Sequence, residues 1–206
     1  MLVDKLHELL ARALLYFFGP RRLIAPISTF TGQCFDPLAR NEWELVQDIE
    51  LADIAQGLSN ICRFNGQVSH FHSVAAHSVL VCDMVEGKRN KIFALLHDSS
   101  EYVLGDVISP LKRLFPVYGW IERRVMKAIL LRFGVQVDKE LLATIKRADR
   151  VVMATEKRDL MPATAEEWSY LKGVPTLPEK IVPLLPHEAR ELFLQRFAEV
   201  RAMPDD

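Results

Sequence analysis

The run Ile92, Phe93, Ala94, Leu95, Leu96 restricts the folding of this chain more than any other stretch. It is apolar on every side, so a helix built from it has no face for water and is expected to be buried. The run ends in His97 and Asp98, which sets an imidazole and a carboxylate at the edge of a core. An uncompensated charge there is costly. A metal ion is the compact compensation, because His and Asp are both good ligands. Glu101 lies four positions after His97 and three after Asp98, offsets that share one helix face a turn further on. Gly105 then permits a helix stop, Asp106 follows it, and Pro110 keeps the helix from resuming. On its own the dipeptide favours a plainer reading, with Asp98 capping a helix or pairing with a nearby Lys. Partners elsewhere in the chain reverse that.

The 206 residues, 50% of them hydrophobic, suffice for one cored domain, and the whole chain 1–206 is read as one. With 26 basic against 27 acidic residues and a net charge of -1, there is no global attraction to nucleic acid, and no stable nucleic-acid partner is expected. Cys34, Cys62 and Cys82 are widely spaced, without a CxxC. A disulfide framework or thiolate zinc site is therefore not expected, a reducing compartment fits, and all of them are read as buried or partly buried thiols. No stretch reaches the roughly 18 consecutive apolar residues of a spanning helix. Residues 9–18 are mostly apolar, but Asp4, Lys5, His7 and Glu8 precede them and Arg12 interrupts them. No small-residue cleavage site follows, so a secretory signal is not expected and the reading is cytoplasmic. With Arg21 and Arg22 behind it, this segment could lie on a membrane surface. The preferred reading packs it on the domain or on a second subunit, which leaves a homodimer open.

Periodicity predicts mostly helix. An amphipathic N-terminal helix is expected over 2–18, stopped by Gly19 and Pro20, within an N-terminal segment 1–20. Residues 20–47 read as irregular, with a short extended piece at 28–31. Leu51, Ile54, Ala55, Leu58, Ile61 and Cys62 recur at helical spacing, so a helix is expected over 51–64, ended by Asn65 and Gly66. Ser73 is a plausible N-cap for a helix to about residue 85. Gly87 breaks that helix, and the buried one should run from about 88 to 104. Further helices are expected over 116–133, with the stripe Ile121, Val125, Ile129 and Phe133, and over 139–160, capped by Asp138. A Pro-rich section from 161 leads to a last helix over 187–201. The class is all-α, a compact helical bundle.

His77 sits among small and apolar neighbours, in the predicted helix that precedes the buried run. A lone His in such a place is more often a satisfied core residue than a ligand. Its interest comes from the next helix, because antiparallel neighbours joined through Gly87 could bring His77 to His97 and Asp98. Asp149 lies with the apolar stripe Leu142, Ile145, Ala148, Val152 and Met153, while Lys146, Arg147 and Arg150 face water. A carboxylate aimed at a core needs a partner, and by itself Asp149 reads equally well as half of a buried ion pair.

The order His77, then His97 with Asp98, then Asp149 resembles the HD-domain metal-dependent phosphohydrolases. Ser73 to Ser78, with the sequence SVAAHS, is similar to the family's first-His motif, and Ala148 with Asp149 to its last-Asp motif. The run HDSSE from His97 to Glu101, followed by Gly105, Asp106 and the SPLK of 109–112, is similar to the bacterial 5′-deoxynucleotidase (YfbR-like) branch. The stretches TFTG at 29–32, DPL at 36–38 and CRFNG at 62–66 look like phage and prophage members. Those often carry a His after that last Gly, where this chain has Gln67. The resemblance covers roughly residues 28–160, the expected HD core. The N-terminal segment and the section 161–206 lie outside it.

The resemblance implies a role for each matching residue. His77, His97, Asp98 and Asp149 would hold one divalent metal ion, with Asp98 also counted in the catalytic centre. Glu101 would be the catalytic carboxylate. Arg63 would bind the substrate phosphate, Phe64 would lie beside the sugar and Asp106 would meet a sugar hydroxyl. The deoxynucleotidases carry Trp where this chain has Phe64. Plainer readings stand beside these: Arg63 as a cation favoured at a helix C-terminus, Phe64 as core packing. His70 and His72 read as loop residues, with His72 a substrate-contact candidate. The implied chemistry is hydrolysis of nucleoside, chiefly deoxynucleoside, 5′-monophosphates by a Mn, Co, Fe, Ni or Zn ion. The alternatives are the same site acting on nucleoside triphosphates, cyclic nucleotides or guanosine alarmones, and a nucleotide-binding regulatory HD module.

Overall fold

The computed structural model describes residues 9, 27–39, 42–112, 114–163 and 168–205. The N-terminal helix expected over 2–18 thus lies outside the described residues, apart from Leu9, which is helical and exposed. Among the described residues the chain is all-α, as its periodicity predicts. The exception is a short hairpin in which β1 (Ile27–Ser28) pairs antiparallel with β2 (Cys34–Phe35), Ile27 opposite Phe35. The segment read as irregular also contains a helix, α1 (Glu42–Gln47), which buries Leu45 and packs against a later helix. It is too short to show a periodic pattern of its own.

Helix α2 (Leu51–Asn60) stops before the expected 64, because Ile61 turns extended and Cys62 bridges Ser73. A single tight turn, Arg63–Gly66, follows, with left-handed backbone at Phe64 and Asn65. Helix α3 (Val74–Asp83) begins where the sequence places it, with the Ser73 hydroxyl accepting from the Ala76 N–H at 3.1 Å. Helix α4 (Lys88–Leu96) buries all of Ile92, Phe93, Ala94, Leu95 and Leu96. Burying each of the larger of these side chains is worth about 1.5–3 kcal/mol, enough to fix where His97 emerges.

The buried helix does not run on to 104. Tight turns, with Ser99 N–H donating to the Leu96 carbonyl and Glu101 N–H to that of Asp98, separate α4 from the short α5 (Glu101–Leu104). Glu101 therefore opens a new helix and is turned into the protein. Gly57 lets α2 and α5 touch, since a Cβ there would lie 2.8 Å from Tyr102 Cβ and from its carbonyl oxygen.

After α6 (Ser109–Lys112) come α7 (Pro116–Phe133) and α8 (Lys139–Leu160), with the Asp138 carboxylate accepting from the Leu141 N–H at 2.8 Å. The buried stripe of α8 is Leu141, Ile145, Ala148, Val152 and Glu156. Leu142, expected in that stripe, is half exposed, so the inward face sits one residue earlier. A 3-10 turn, Ser169–Leu171, precedes the last helix α9 (Pro186–Arg201), which packs on α2, α3 and α4. Its Ala189, Phe193, Phe197 and Val200 join the common core, so the C-terminal section completes the bundle. Cys82 is buried and Cys62 half-buried, but Cys34 is exposed at the hairpin, contrary to the sequence reading; all of them are free thiols. No helix among the described residues is long and apolar enough to cross a membrane.

Candidate metal centre

Helices α3, α4 and α8 meet at one polar spot in an otherwise apolar interior. Helix α3 packs on both α4 and α8, and α4 packs on α8, so each projects side chains toward the same point. His77 comes from the middle of α3, His97 and Asp98 from the turn just past the end of α4, and Asp149 from the middle of α8. Suitable ligand atoms of His77, His97 and Asp98 all lie within 4.8 Å of one another, a group that could hold a metal ion. The His77 and His97 rings are 5.4 Å apart between centroids.

Both imidazoles are held by their far nitrogens. His77 Nδ1 donates to Glu156 Oε1 at 2.8 Å, and His97 Nδ1 donates to the Ala94 carbonyl at 2.7 Å. Both partners are acceptors only, so each neutral ring keeps its Nε2 lone pair free. Both Nε2 atoms are buried and have no hydrogen-bond partner. Carboxylate oxygens nevertheless stand close. Asp149 Oδ1 is 3.2 Å and Asp98 Oδ2 is 3.9 Å from His77 Nε2, and Asp98 Oδ2 is 3.3 Å from His97 Nε2. These approaches lie off the hydrogen-bonding direction. Donors about 2.1 Å from a common ion are separated by about 3.0–4.2 Å, depending on the angle between them, and the contacts fall in that interval.

The electrostatics point the same way. Asp98, Asp149 and Glu156 crowd a single guanidinium, that of Arg63. Burial opposes charge on all these carboxyls. Even so, His97, His77 and Arg63 hold Asp98 far below the usual carboxylate range, and His77 and His97 keep Asp149 low. The imidazoles respond in the opposite sense. Burial works against a proton on His97, but Asp98 and Asp149 outweigh it and push the ring up to about 9. His77 is also raised, with burial and Arg63 opposing and Glu156 and Asp149 prevailing. The cluster thus draws positive charge to its centre, and a divalent cation would supply it without those protons.

Glu156 is a member of the centre that the sequence reading does not single out. It is fully buried and ties three residues together. Its Oε1 accepts from His77 Nδ1 and, at 3.0 Å, from His72 Nε2, while its Oε2 accepts from Arg63 Nη2 at 3.2 Å. Burial alone would raise this carboxyl, yet Arg63 and His77 keep it well below its ordinary value. A carboxylate behind a ligating imidazole fixes its tautomer and raises its basicity. The available signal was spacing: Glu156 lies seven positions after Asp149 and four after Val152, on the same helix face. His72 lies in the loop before α3, as the sequence predicts, but its side chain turns inward, 1% exposed and bonded to the same Glu156 oxygen as His77. His70 is exposed.

Arg63 is not a surface helix cation. It is buried in the tight turn, with Nη2 on Glu156, Nη1 3.7 Å from Asp98 and Nε buried without a partner. Part of its donor capacity is spent within the protein and part is left over. Phe64 is half-buried at φ 53° and Asn65 is exposed at φ 52°, left-handed conformations that side chains rarely adopt. Such strain concentrates at binding sites. The Arg63 guanidinium lies 5.3 Å from the Phe64 ring centre.

Glu101 is buried, with Lys112 Nζ 3.4 Å from Oε1 and Oε2 unpartnered. Burial, reinforced by Asp98 and Asp106, raises its carboxyl to about 9 against the pull of Lys112 and Arg63, so it carries a proton at neutral pH. Asp106 is half-buried at the rim, raised by burial and Asp98 while Arg63 draws it down. The fold therefore gathers Arg63, His77, His97, Asp98 and Asp149 closely, with Glu101 and Asp106 within their electrostatic reach.

No family model matches the chain. Among curated proteins it is similar to the uncharacterized protein YfdR of Escherichia coli (strain K12), 37% identical over 177 residues, covering 84% of this chain and 94% of that protein. It is also similar to an uncharacterized protein of Rhodobacter capsulatus, 37% identical over 139 residues, covering 62% of this chain and 71% of that one.

Proposed function

The chain belongs to the YfdR family; from the geometry of its centre and its motifs we propose that it is an HD-type, metal-dependent phosphohydrolase that removes the 5′-phosphate of nucleoside monophosphates, deoxy forms in preference. One observation carries this reading: the buried His77 and the half-buried His97, with their Nδ1 atoms engaged, hold buried, unpartnered Nε2 atoms 3.2 Å from Asp149 and 3.3 Å from Asp98. His77, His97, Asp98 and Asp149 would hold one divalent ion. Their mixed N and O donors, without thiolate, admit Mn, Co, Fe, Ni or Zn. When bound, such an ion screens phosphate charge and acidifies water.

The protein's own groups do the rest. Arg63, with its unpartnered Nε, binds a phosphate oxygen through a charge-assisted hydrogen bond. Water adds to phosphorus, the bond from phosphorus to the 5′-oxygen breaks, and Glu101 delivers a proton to that leaving oxygen. The proton lost by the water returns Glu101 to its starting state. Asp106, at the rim, accepts a hydrogen bond from the 3′-hydroxyl. Phe64 crowds the 2′ position, and an apolar wall of this kind rejects an added hydroxyl by about 10²-fold at best.

The test is a screen of nucleoside mono-, di-, tri- and cyclic phosphates with each of these ions, followed by kcat/KM for dAMP and AMP. Ion-dependent phosphate release from monophosphates, with dAMP preferred, is expected. Glu101→Gln should keep the ion and lose most of the turnover. Release from triphosphates or cyclic nucleotides alone would move the substrate class, and no release with any ion would overturn the reading.

A further inference from the structure

Beside the candidate centre the C-terminal section presents aromatic rings. Trp168 lies 5.9 Å from Phe64, between centroids, in tilted contact, and Tyr170 stacks on Trp168 at 5.7 Å with 23° between planes. Lys157, the residue after Glu156 on α8, sets its ammonium 4.8 Å from the Trp168 ring centre. The row begins at the Arg63 guanidinium and leads outward. Its far end still belongs to the site, since the Tyr170 hydroxyl lies within the electrostatic influence of both Arg63 and Asp149.

These rings are not buried for the sake of the core. Tyr170 is 51% exposed and Trp168 and Phe64 are half-buried, so part of this aromatic surface remains open to solvent next to Arg63. The left-handed backbone at Phe64, unfavourable for a bulky residue, keeps its ring in this row. Exposed aromatic faces with a cation alongside are the chemistry that holds a planar base, because every base has a π-face to stack.

We propose that Phe64, Trp168 and Tyr170 form a stacking ledge for the nucleobase, leading from the phosphate site at Arg63 outward across the C-terminal section. The ledge rests on the nucleotide reading given above and adds the part of the substrate it does not place. Stacking discriminates by ring area rather than by hydrogen-bonding edge. All four bases are therefore accepted, with purines ahead of pyrimidines.

The experiment measures the affinity of the full chain for dAMP, dTMP and deoxyribose 5-phosphate by calorimetry, with phosphate release from each in parallel. Stacking on one aromatic side chain is worth on the order of tenfold in affinity. Wild type should bind dAMP at least tenfold more tightly than deoxyribose 5-phosphate, with dTMP between them. Trp168→Ala and Tyr170→Ala should each shrink the ratio of dAMP to deoxyribose 5-phosphate affinity several-fold, and Trp168→Phe should restore most of it. A merely structural role would weaken both ligands alike and leave the ratio where it was. Equal affinities for dAMP and deoxyribose 5-phosphate, with both hydrolysed, would overturn the ledge and leave the phosphatase reading standing. If none of these phosphates binds or is hydrolysed, the nucleotide reading fails and the ledge fails with it.

Discussion

Replacing Glu156 by Gln tests how the centre is organised, because the side chain keeps its shape and loses only its charge. The carboxylate accepts three hydrogen bonds, from Arg63 Nη2 on one oxygen and from His72 and His77 on the other. An amide can satisfy one side only. With its oxygen toward the imidazoles, its NH₂ faces the Arg63 guanidinium, donor against donor; flipped, it faces both rings. The first arrangement loses less, and it leaves Arg63 buried without its anion. Breaking one side of a buried ion pair costs about 3–5 kcal/mol, and retention of both His bonds places this variant near the lower figure. For a chain of this length, about 3 kcal/mol lowers the Tm by roughly 6–12 °C. His77 also loses the negative charge that makes its Nε2 a strong donor, so affinity for a divalent ion should drop about 10- to 100-fold. Thermal denaturation and calorimetric titration with Mn²⁺ measure the two effects separately. A variant with wild-type Tm and wild-type Mn²⁺ affinity would show that Glu156 organises neither Arg63 nor His77, and the account of the centre would be wrong.

Other expectations can be checked alongside it. The metal-free protein should lose stability as pH rises from about 6.5 to about 9. His97 is raised from 6.5 to about 9 on folding, so its contribution is complete below 6.5 and gone above 9. That difference is worth about 3 kcal/mol. Glu101, raised from 4.5 to about 9, acts with the same sign across a wider range. Chelator-treated samples melted at pH 6 and pH 9 should show the fall, and a saturating divalent ion should remove it, because binding expels the His protons. A flat profile without metal would contradict the electrostatics derived for the cluster. Gly57→Ala should cost about 1–3 kcal/mol in urea denaturation, since its Cβ would meet Tyr102 at 2.8 Å and force α2 from α5. Gly119→Ala, where the nearest atom is an Arg123 side-chain nitrogen at 3.5 Å, should be neutral or slightly stabilising. Equal effects at the two glycines would refute the close approach of α2 and α5.

Long helices with caps were readable because each end carries its own chemistry. Pro116 and Gly134 bound α7, and Asp138 and Met161 bound α8, where periodicity and punctuation agree. The convergence of His77, His97, Asp98 and Asp149 was readable as well, since polar groups among apolar neighbours need partners. Glu156 was hidden by its surroundings: Lys157 and Arg158 follow it, and a Glu in such a run looks like solvated surface. The turn after Leu96 was hidden because the residues from Ser99 to Leu104 have nothing that forbids a helix; tertiary packing of α5 on α2 selects the break. The burial of His72 was hidden because Glu156, which its side chain bonds, is 84 positions away. The aromatic row could not be seen at all from spacing, since Phe64 and Trp168 lie far apart in the chain and meet only in the fold.

Metal content tests the central claim most directly. Wild-type protein, His97→Ala and Asp149→Ala, each purified in the presence of Mn²⁺ and then desalted, can be compared by elemental analysis, with circular dichroism to verify that each is folded. The account predicts about one divalent ion per wild-type chain and far less in either variant. An empty wild type, or a full complement of metal in both folded variants, would contradict it.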